Sequence, residues 1–372
     1  MLVGIPSEVK RDEYRVAITE AGVRELVAHG HDVMIERGAG QGSAIADRDY
    51  QAVGARIVDT ARQIWAEADL VCKVKEPIES EYELLGLRHD QVLFTYLHLA
   101  ASRSCTDALI AANNVAIAYE TVRLANGQLP LLTPMSEVAG RMATMQGSTH
   151  LMRSGGGRGI LISGVPGTAR ANVTILGAGV AGFAAATMAV GLGASVTILD
   201  RSLERLKQVD EHFQGRVQTL AASAHAVEAS VLDADLVIGA VLVVGERAPK
   251  LVTNAMVAKM KPGSVLVDIS VDQGGCFEDT RPTTHSDPVF EVHRSLFYCV
   301  ANMPGAVPIT STQALSNATL PYALALADHG WREAALADAA LAGGVNIVEG
   351  KVTSKPVADA HGLAHTQVST LL

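Results

Sequence analysis

The most chemically specific run in this 372-residue sequence is Gly177-Ala178-Gly179-Val180-Ala181-Gly182. It follows the apolar stretch Val173-Thr174-Ile175-Leu176 and precedes a helical pattern carrying Ala184, Ala185, Met188 and Ala189. A second apolar run, Val196–Leu199, ends in Asp200. In this arrangement Gly177 permits a tight turn, Gly179 lets the backbone approach a pyrophosphate, and Gly182 allows close packing of helix on strand. The helix N-terminus turns free N–H groups and the positive end of its dipole towards phosphate. Asp200 lies about 20 positions beyond the opening of the loop, where a carboxylate accepts hydrogen bonds from ribose hydroxyls and repels a 2′-phosphate. The expected cofactor is therefore NAD rather than NADP, although Arg201, beside Asp200, is of a type that tolerates the extra phosphate. FAD uses the same fingerprint, usually at a chain's N-terminus; this one sits mid-chain. The competing reading is a glycine-rich strand–helix corner that binds nothing.

Hydride transfer also needs a group to hold an anionic substrate and one to move a proton. Arg15, Lys75 and His98 stand at or just after the ends of apolar runs, and Asp272 follows Val265–Ile269. In parallel α/β sheets the ligand cleft lies outside the C-termini of the strands, which makes these placements suggestive. Each has a plainer reading. Arg15 follows the charges Lys10, Arg11, Asp12 and Glu13 and reads equally as surface; Lys75 reads as a strand-end lysine paired with Glu76. His98, between Leu97 and Leu99, reads as a buried hydrogen-bonded histidine, and Asp272 as a turn residue before Gly274-Gly275.

The elements that must position these residues alternate between short apolar runs and helical patterns. Leu2–Ile5, Val33–Ile35, Leu70–Val74, Val92–Tyr96 and Val115–Tyr119 read as strands, and a helix opens at Thr19-Glu20 and closes at Gly30. This rhythm predicts an α/β fold of two Rossmann-like units with parallel sheets. Asn126-Gly127, between Val122–Leu124 and Leu129–Leu132, is the strongest hairpin signal in the chain and marks a domain edge. A long helix is expected from Pro134-Met135-Ser136, with Ser136 as N-cap, Val138, Met142, Met145 and Met152 on its apolar face, and Gly155–Gly159 ending it. Thr310–Asp328 reads as one helix with apolar Leu315, Leu320, Leu324 and Leu326. The tail beyond Pro308 is short for an independent core and is expected to pack back on the first domain. The expected division is residues 1–132 with 306–372 as a discontinuous substrate domain, and 133–305 as an inserted NAD-binding domain.

Composition excludes several function classes. Thirty basic against 39 acidic residues give a net charge of −9, and no Lys/Arg run offers a basic face for nucleic acid. With 48% hydrophobic and 19% charged residues the chain has ample core material. Cys72, Cys105, Cys276 and Cys299 are scattered, without the spacing of a zinc knuckle or a disulfide framework, so no metal is expected and a reducing cytoplasm is the expected home. No apolar signal segment opens the chain, and the most apolar stretches are too short or too broken by glycine to span a membrane.

The chain resembles the alanine dehydrogenases from Gly4 to His329. The likeness is carried by Gly4-Ile5-Pro6-Ser7-Glu8, Arg15-Val16-Ala17, Val74-Lys75-Glu76-Pro77, Leu97-His98-Leu99-Ala100, Tyr119-Glu120-Thr121, Pro134-Met135-Ser136-Glu137, Asp268–Gly275 and Val300-Ala301-Asn302-Met303-Pro304. The NAD-binding subunit of proton-translocating transhydrogenase shares the opening segment and the glycine loop but lacks the Leu-His-Leu-Ala histidine. The resemblance implies reversible oxidative deamination of L-alanine to pyruvate and ammonium with NAD. It implies Arg15 and Lys75 on the substrate carboxylate or carbonyl, His98 as general acid/base, and Asp272 assisting the water and imine steps. Cofactor contacts implied beyond Gly177, Ala178, Gly179, Val180, Gly182 and Asp200 are Ser136, Arg205, Val241, Leu242, Ile269, Asp272, Arg281, Val300, Asn302 and Met303. The pattern departs at Ala222, where the family has serine; Ser223 follows one position later. His329 and Trp331 match the family's helix end, with packing roles, and a homo-oligomer, commonly a hexamer, is implied. Two other readings stay open: a hydroxy-acid or saccharopine-type oxidoreductase on the same frame, and a non-enzymatic NAD-binding subunit docking on a membrane transhydrogenase.

Overall fold

The computed structural model describes residues 1–241 and 248–372. The chain divides into two compact units, Met1–Met135 with Gly305–Leu372 (unit 1) and Ser136–Pro304 (unit 2).

Unit 1 opens with six parallel strands: β1 (Leu2–Ile5), β2 (Asp32–Glu36), β3 (Arg56–Val58), β4 (Leu70–Cys72), β5 (Val92–Thr95) and β6 (Val115–Ala118). Strands β4, β5 and β6 are buried at every residue, as expected of parallel strands covered on both faces. Two strands from the tail, β14 (Val345–Val348) and β15 (Lys351–Val352), complete the sheet, and β14 pairs antiparallel with β6. The order is β15-β14-β6-β5-β4-β1-β2-β3, with its switch point between β1 and β4. The tail thus lies on the first unit's sheet, and Ile347, Val352, Val357 and Ala358 join the core around Trp65, Leu93 and Leu97.

Unit 2 holds β7 (Asn172–Leu176), β8 (Ser195–Asp200), β9 (Val217–Ala221), β10 (Leu236–Gly239), β11 (Val265–Asp268), β12 (Val289–Val292) and β13 (Ser295–Tyr298). Their order is β12-β13-β11-β10-β7-β8-β9, parallel except for edge strand β12. The switch point falls between β7 and β10. The expected α/β architecture of two mostly parallel sheets is present.

Several local expectations need correction. The Asn126-Gly127 turn forms, with Leu124 N–H donating to the Gln128 carbonyl at 2.9 Å, but its flanks build no strands. Two-residue hairpins form instead at Glu349-Gly350, both with positive φ, between β14 and β15, and at His293-Arg294, between Val289–Val292 and Ser295–Tyr298. The long helix begins at Thr133, so Ser136 lies in its first turn rather than at its N-cap. Met145 and Met152 are exposed, whereas Met135, Ala139 and Ala143 join Val138 and Met142 in burial. The helix expected over 310–328 runs over Pro308–Ala337 with a break at Gly330 (φ 76°, ψ 159°). Before the break its buried face is Ser311, Thr312, Leu315, Ser316, Thr319, Ala323, Leu326 and Ala327, so Leu315 and Leu326 are buried as expected while Leu320 and Leu324 are only partly covered. Trp331 is buried, but His329 is exposed and does not pack.

Candidate active site

In unit 2 the expected cofactor residues gather at the C-terminal ends of adjacent parallel strands. The loop after β7 has Gly177 at φ 103°, a left-handed conformation that L side chains rarely adopt. A Cβ on Gly182 would stand 1.8 Å from the Gly177 carbonyl oxygen, so only glycine lets the helix Val180–Gly191 seat against its strand. At Gly179 the space is open, with only the Arg205 guanidinium 3.7 Å from a built Cβ. The helix carries no side-chain cap, so its first-turn N–H groups face outward beside that space. Asp200 ends β8 and ties the loop down: Oδ2 accepts from the Ala178 N–H at 2.7 Å and Oδ1 from the Ser202 N–H at 2.8 Å. The open approach at Gly179, outward N–H groups and an acid at the next strand end fit a dinucleotide.

The other expected contacts occupy neighbouring strand ends. Val241 follows β10, and its carbonyl accepts from the Ser270 hydroxyl at 2.7 Å. Leu242 lies outside the described residues. Ile269 follows β11, and Asp272 is an exposed residue in a short helical turn. Its carboxylate accepts from the N–H of Asn302, a residue with φ 58°, at 3.4 Å. Val300 and Met303 are buried beyond β13. Arg281 stacks over the Phe290 ring, 4.1 Å from its centroid. Ser136 is half-buried in its helix. Ser223 caps the helix Ala224–Asp233 by accepting from the Ala226 N–H. Its hydroxyl therefore already has a structural partner and does not simply replace the serine missing at Ala222.

In unit 1, Arg15 and His98 are held by carboxylates, most of which sequence reasoning missed, whereas Lys75 meets one only through its backbone N–H. Arg15 is buried, not surface. Its guanidinium meets Glu13 through two parallel hydrogen bonds, Nε to Oε1 at 2.6 Å and Nη2 to Oε2, and Nη1 reaches Met135 Sδ at 3.0 Å. Burial opposes the charge on Arg15, and Glu13 restores it, leaving the guanidinium more firmly protonated than usual.

Beyond β4 the chain presents two buried lysines with different surroundings. Lys73 is fully buried between Glu81, at 2.7 Å, and Glu8, at 3.5 Å. Glu8 also accepts from the Val74 N–H at 2.6 Å and the Lys75 N–H at 3.4 Å, joining the loop after β1 to the loop after β4 across the switch point. Burial pushes the Glu8 carboxyl above its usual range, against the pull of Lys73. Lys75 is 7% exposed, and among the described residues its ammonium has no ion-pair partner.

His98 follows β5 with φ 49° and ψ 34°, a strained backbone for a residue with a Cβ. Its N–H donates to Glu120 at 2.6 Å, and its ring Nδ1 lies 3.2 Å from Glu76 Oε2. Lys10 pairs with the other Glu76 oxygen. Burial alone would raise the Glu76 carboxyl; the His98 hydrogen bond and the charges of His98, Lys75 and Lys10 overcome it and hold the group well below the usual carboxylate range. Glu8, Glu13, Glu76 and Glu120 stood in segments that sequence reasoning had already singled out; Glu81 did not. The signal available was a charged residue inside or beside an apolar run.

Two doubly wound units, one with a complete dinucleotide fingerprint, define a dinucleotide-dependent oxidoreductase. The alanine dehydrogenase/PNT N-terminal domain family matches residues 4–139, and the corresponding C-terminal domain family matches residues 143–355. The alanine dehydrogenase of Mycolicibacterium smegmatis is 60% identical over the whole of both chains. A solved L-alanine dehydrogenase superposes with a TM-score of 0.93 at 49% identity, covering 97% of this chain and 99% of that one. A solved transhydrogenase from Sinorhizobium meliloti gives 0.80 at 25% identity, covering 95% and 99%. The chain belongs to the alanine dehydrogenase/PNT family.

Proposed function

We propose that this chain is an NAD-dependent L-alanine dehydrogenase, with unit 2 binding the dinucleotide and unit 1 the substrate. L-alanine, NAD+ and water give pyruvate, ammonium, NADH and a proton. The observation that carries the reading is Lys75, a buried ammonium with no ion-pair partner among the described residues, following a strand adjacent to the one that leads to His98. Glu76 feels the charge of Lys75 without pairing with it directly, and a small carboxylate substrate supplies the direct counter-ion that a buried ammonium favours.

Bound NAD+ supplies the hydride acceptor; Gly177, Ala178, Gly179, Val180 and Gly182 cradle its pyrophosphate and Asp200 its ribose. Ser136, Arg205, Val241, Ile269, Arg281, Val300, Asn302 and Met303 would complete its surroundings. Lys75 and Arg15 hold the substrate carboxylate and carbonyl oxygen, stabilising negative charge as it develops there. Neutral His98 takes a proton from water as the new C–O bond forms on the imine carbon. It returns that proton to nitrogen as the C–N bond of the carbinolamine breaks, and the hydroxyl proton leaves through the same imidazole. Asp272 assists the water and imine steps.

A homo-oligomer, hexameric as in the resembling family, and a cytoplasmic location belong to the same reading. It is supported by exposed Met145, Met152, Leu161 and Val165 in unit 2, and no helix among the described residues is long and apolar enough to cross a membrane. Sedimentation velocity tests the assembly.

The activity is tested by following NADH oxidation with pyruvate, with and without ammonium. Turnover only with ammonium is the expected result, and His98→Ala then lowers kcat by about a thousandfold while NADH still binds. Turnover with pyruvate alone would make the chain a hydroxy-acid dehydrogenase. Binding of NADH with neither turnover would favour the transhydrogenase-subunit reading.

A further inference from the structure

Two carboxylates converge on His98 from different strand ends, Glu76 beyond β4 on its ring and Glu120 beyond β6 on its backbone. We propose that Glu76 and Glu120 are the positioning residues of His98, Glu76 fixing which ring nitrogen carries the proton and Glu120 holding the backbone turn that presents the ring. The proposal rests on the reading of His98 as the acid/base and deepens it.

An ionised carboxylate only accepts hydrogen bonds, so the nitrogen facing it must carry a proton. Glu76 stays ionised: one oxygen faces His98 Nδ1 at 3.2 Å, and the other takes the Lys10 ammonium. Neutral His98 is therefore the Nδ1–H tautomer, and its Nε2 lone pair is the one left to accept a proton. Among the described residues Nε2 has no hydrogen-bond partner, whereas Nδ1 is committed. The Tyr96 ring, its centroid 5.9 Å away, limits how the imidazole can turn.

His98 sits at φ 49°, where a Cβ crowds the following carbonyl, and needs an external hold to stay there. Glu120 accepts from two successive amides, Leu97 at 3.2 Å and His98 at 2.6 Å. A carboxylate gathering consecutive N–H groups stabilises the turn that carries the ring.

The test uses full-length protein with 15N-labelled histidine. His98→Asn identifies the His98 ring signals by their loss and checks the underlying reading. In the neutral form of His98, the wild type is expected to carry the ring proton on Nδ1. Glu76→Gln, whose amide can donate or accept, is expected to populate the Nε2–H form and to lower kcat about tenfold or more, with KM for alanine within twofold. Glu76→Asp, which keeps the charge, is expected to restore the Nδ1–H form and part of kcat. Glu120→Gln is expected to leave the tautomer alone, speed amide exchange at Leu97 and His98, and lower kcat. An unchanged tautomer and kcat in Glu76→Gln, or unchanged exchange and kcat in Glu120→Gln, with His98→Asn inactive, would overturn the positioning roles while sparing His98. Full activity in His98→Asn would overturn the reading beneath them.

Discussion

In unit 2 the candidate site is made of backbone: glycines at 177, 179 and 182, a helix N-terminus, and one carboxylate that fastens the loop. In unit 1 it is made of buried and half-buried acidic and basic side chains: Glu13 on Arg15, Glu8 and Glu81 on Lys73, Glu76 and Glu120 on His98. Both follow from one fold plan, parallel strands whose C-terminal ends meet at a switch point. On the proposed function, the difference lies in what each would hold. A pyrophosphate is met by N–H groups that need steric room, so side chains are removed there. A small charged substrate has little surface to grip, so recognition falls to charges, and charges out of water require partners.

The contrast can be broken from the charged side first. Lys73→Met removes the cation from between Glu8 and Glu81, and about 3–5 kcal/mol of stability is expected to go with it in urea unfolding. A loss below about 1 kcal/mol would mean that the cluster is not a structural pair. On the backbone side, Gly182→Ala drives a methyl into the Gly177 carbonyl and is expected to cost about 3 kcal/mol without any cofactor present. Gly179→Ala meets open space and is expected to leave the melting temperature unchanged while weakening NADH about tenfold, roughly 1.4 kcal/mol. Equal effects of the two alanines on the apo-protein would erase the distinction between packing and approach.

The smallest effect concerns acid. The Glu76 carboxyl titrates below its unfolded value, so its stabilisation is complete above the ordinary carboxylate range and is lost as pH falls through the lower folded value. The stability gap between wild type and Glu76→Gln is expected to persist at pH 5 and to shrink by pH 3. A gap that widened on acidification would reverse the sign.

The glycine loop was legible because its spacing is itself the signal, with φ at Gly177 and packing at Gly182 each demanding glycine. The charged site was only half legible. Arg15 lay in a run of charges whose fates diverge, since Arg11 and Tyr14 are exposed while Glu13 and Arg15 are buried. Composition carries no information on which charges the sheet will cover. Lys73 stood inside an expected strand, Leu70–Val74, and an ammonium there implied buried acids that could only be found in three dimensions. The two hairpin signals teach the same lesson. Asn126-Gly127 makes its turn with no sheet edge to extend, whereas Glu349-Gly350, weaker as a motif, joins strands that the open edge of β6 receives.

The most direct test of the account compares two lysines two positions apart. Lys75→Met removes a buried ammonium with no ion-pair partner among the described residues, so the melting temperature should hold or rise. The kcat/KM for pyruvate with ammonium and NADH should fall roughly a hundredfold, the size expected when a substrate's charged partner is removed. Lost stability comparable to that of Lys73→Met, with kcat/KM intact, would contradict the account and make Lys75 a structural residue.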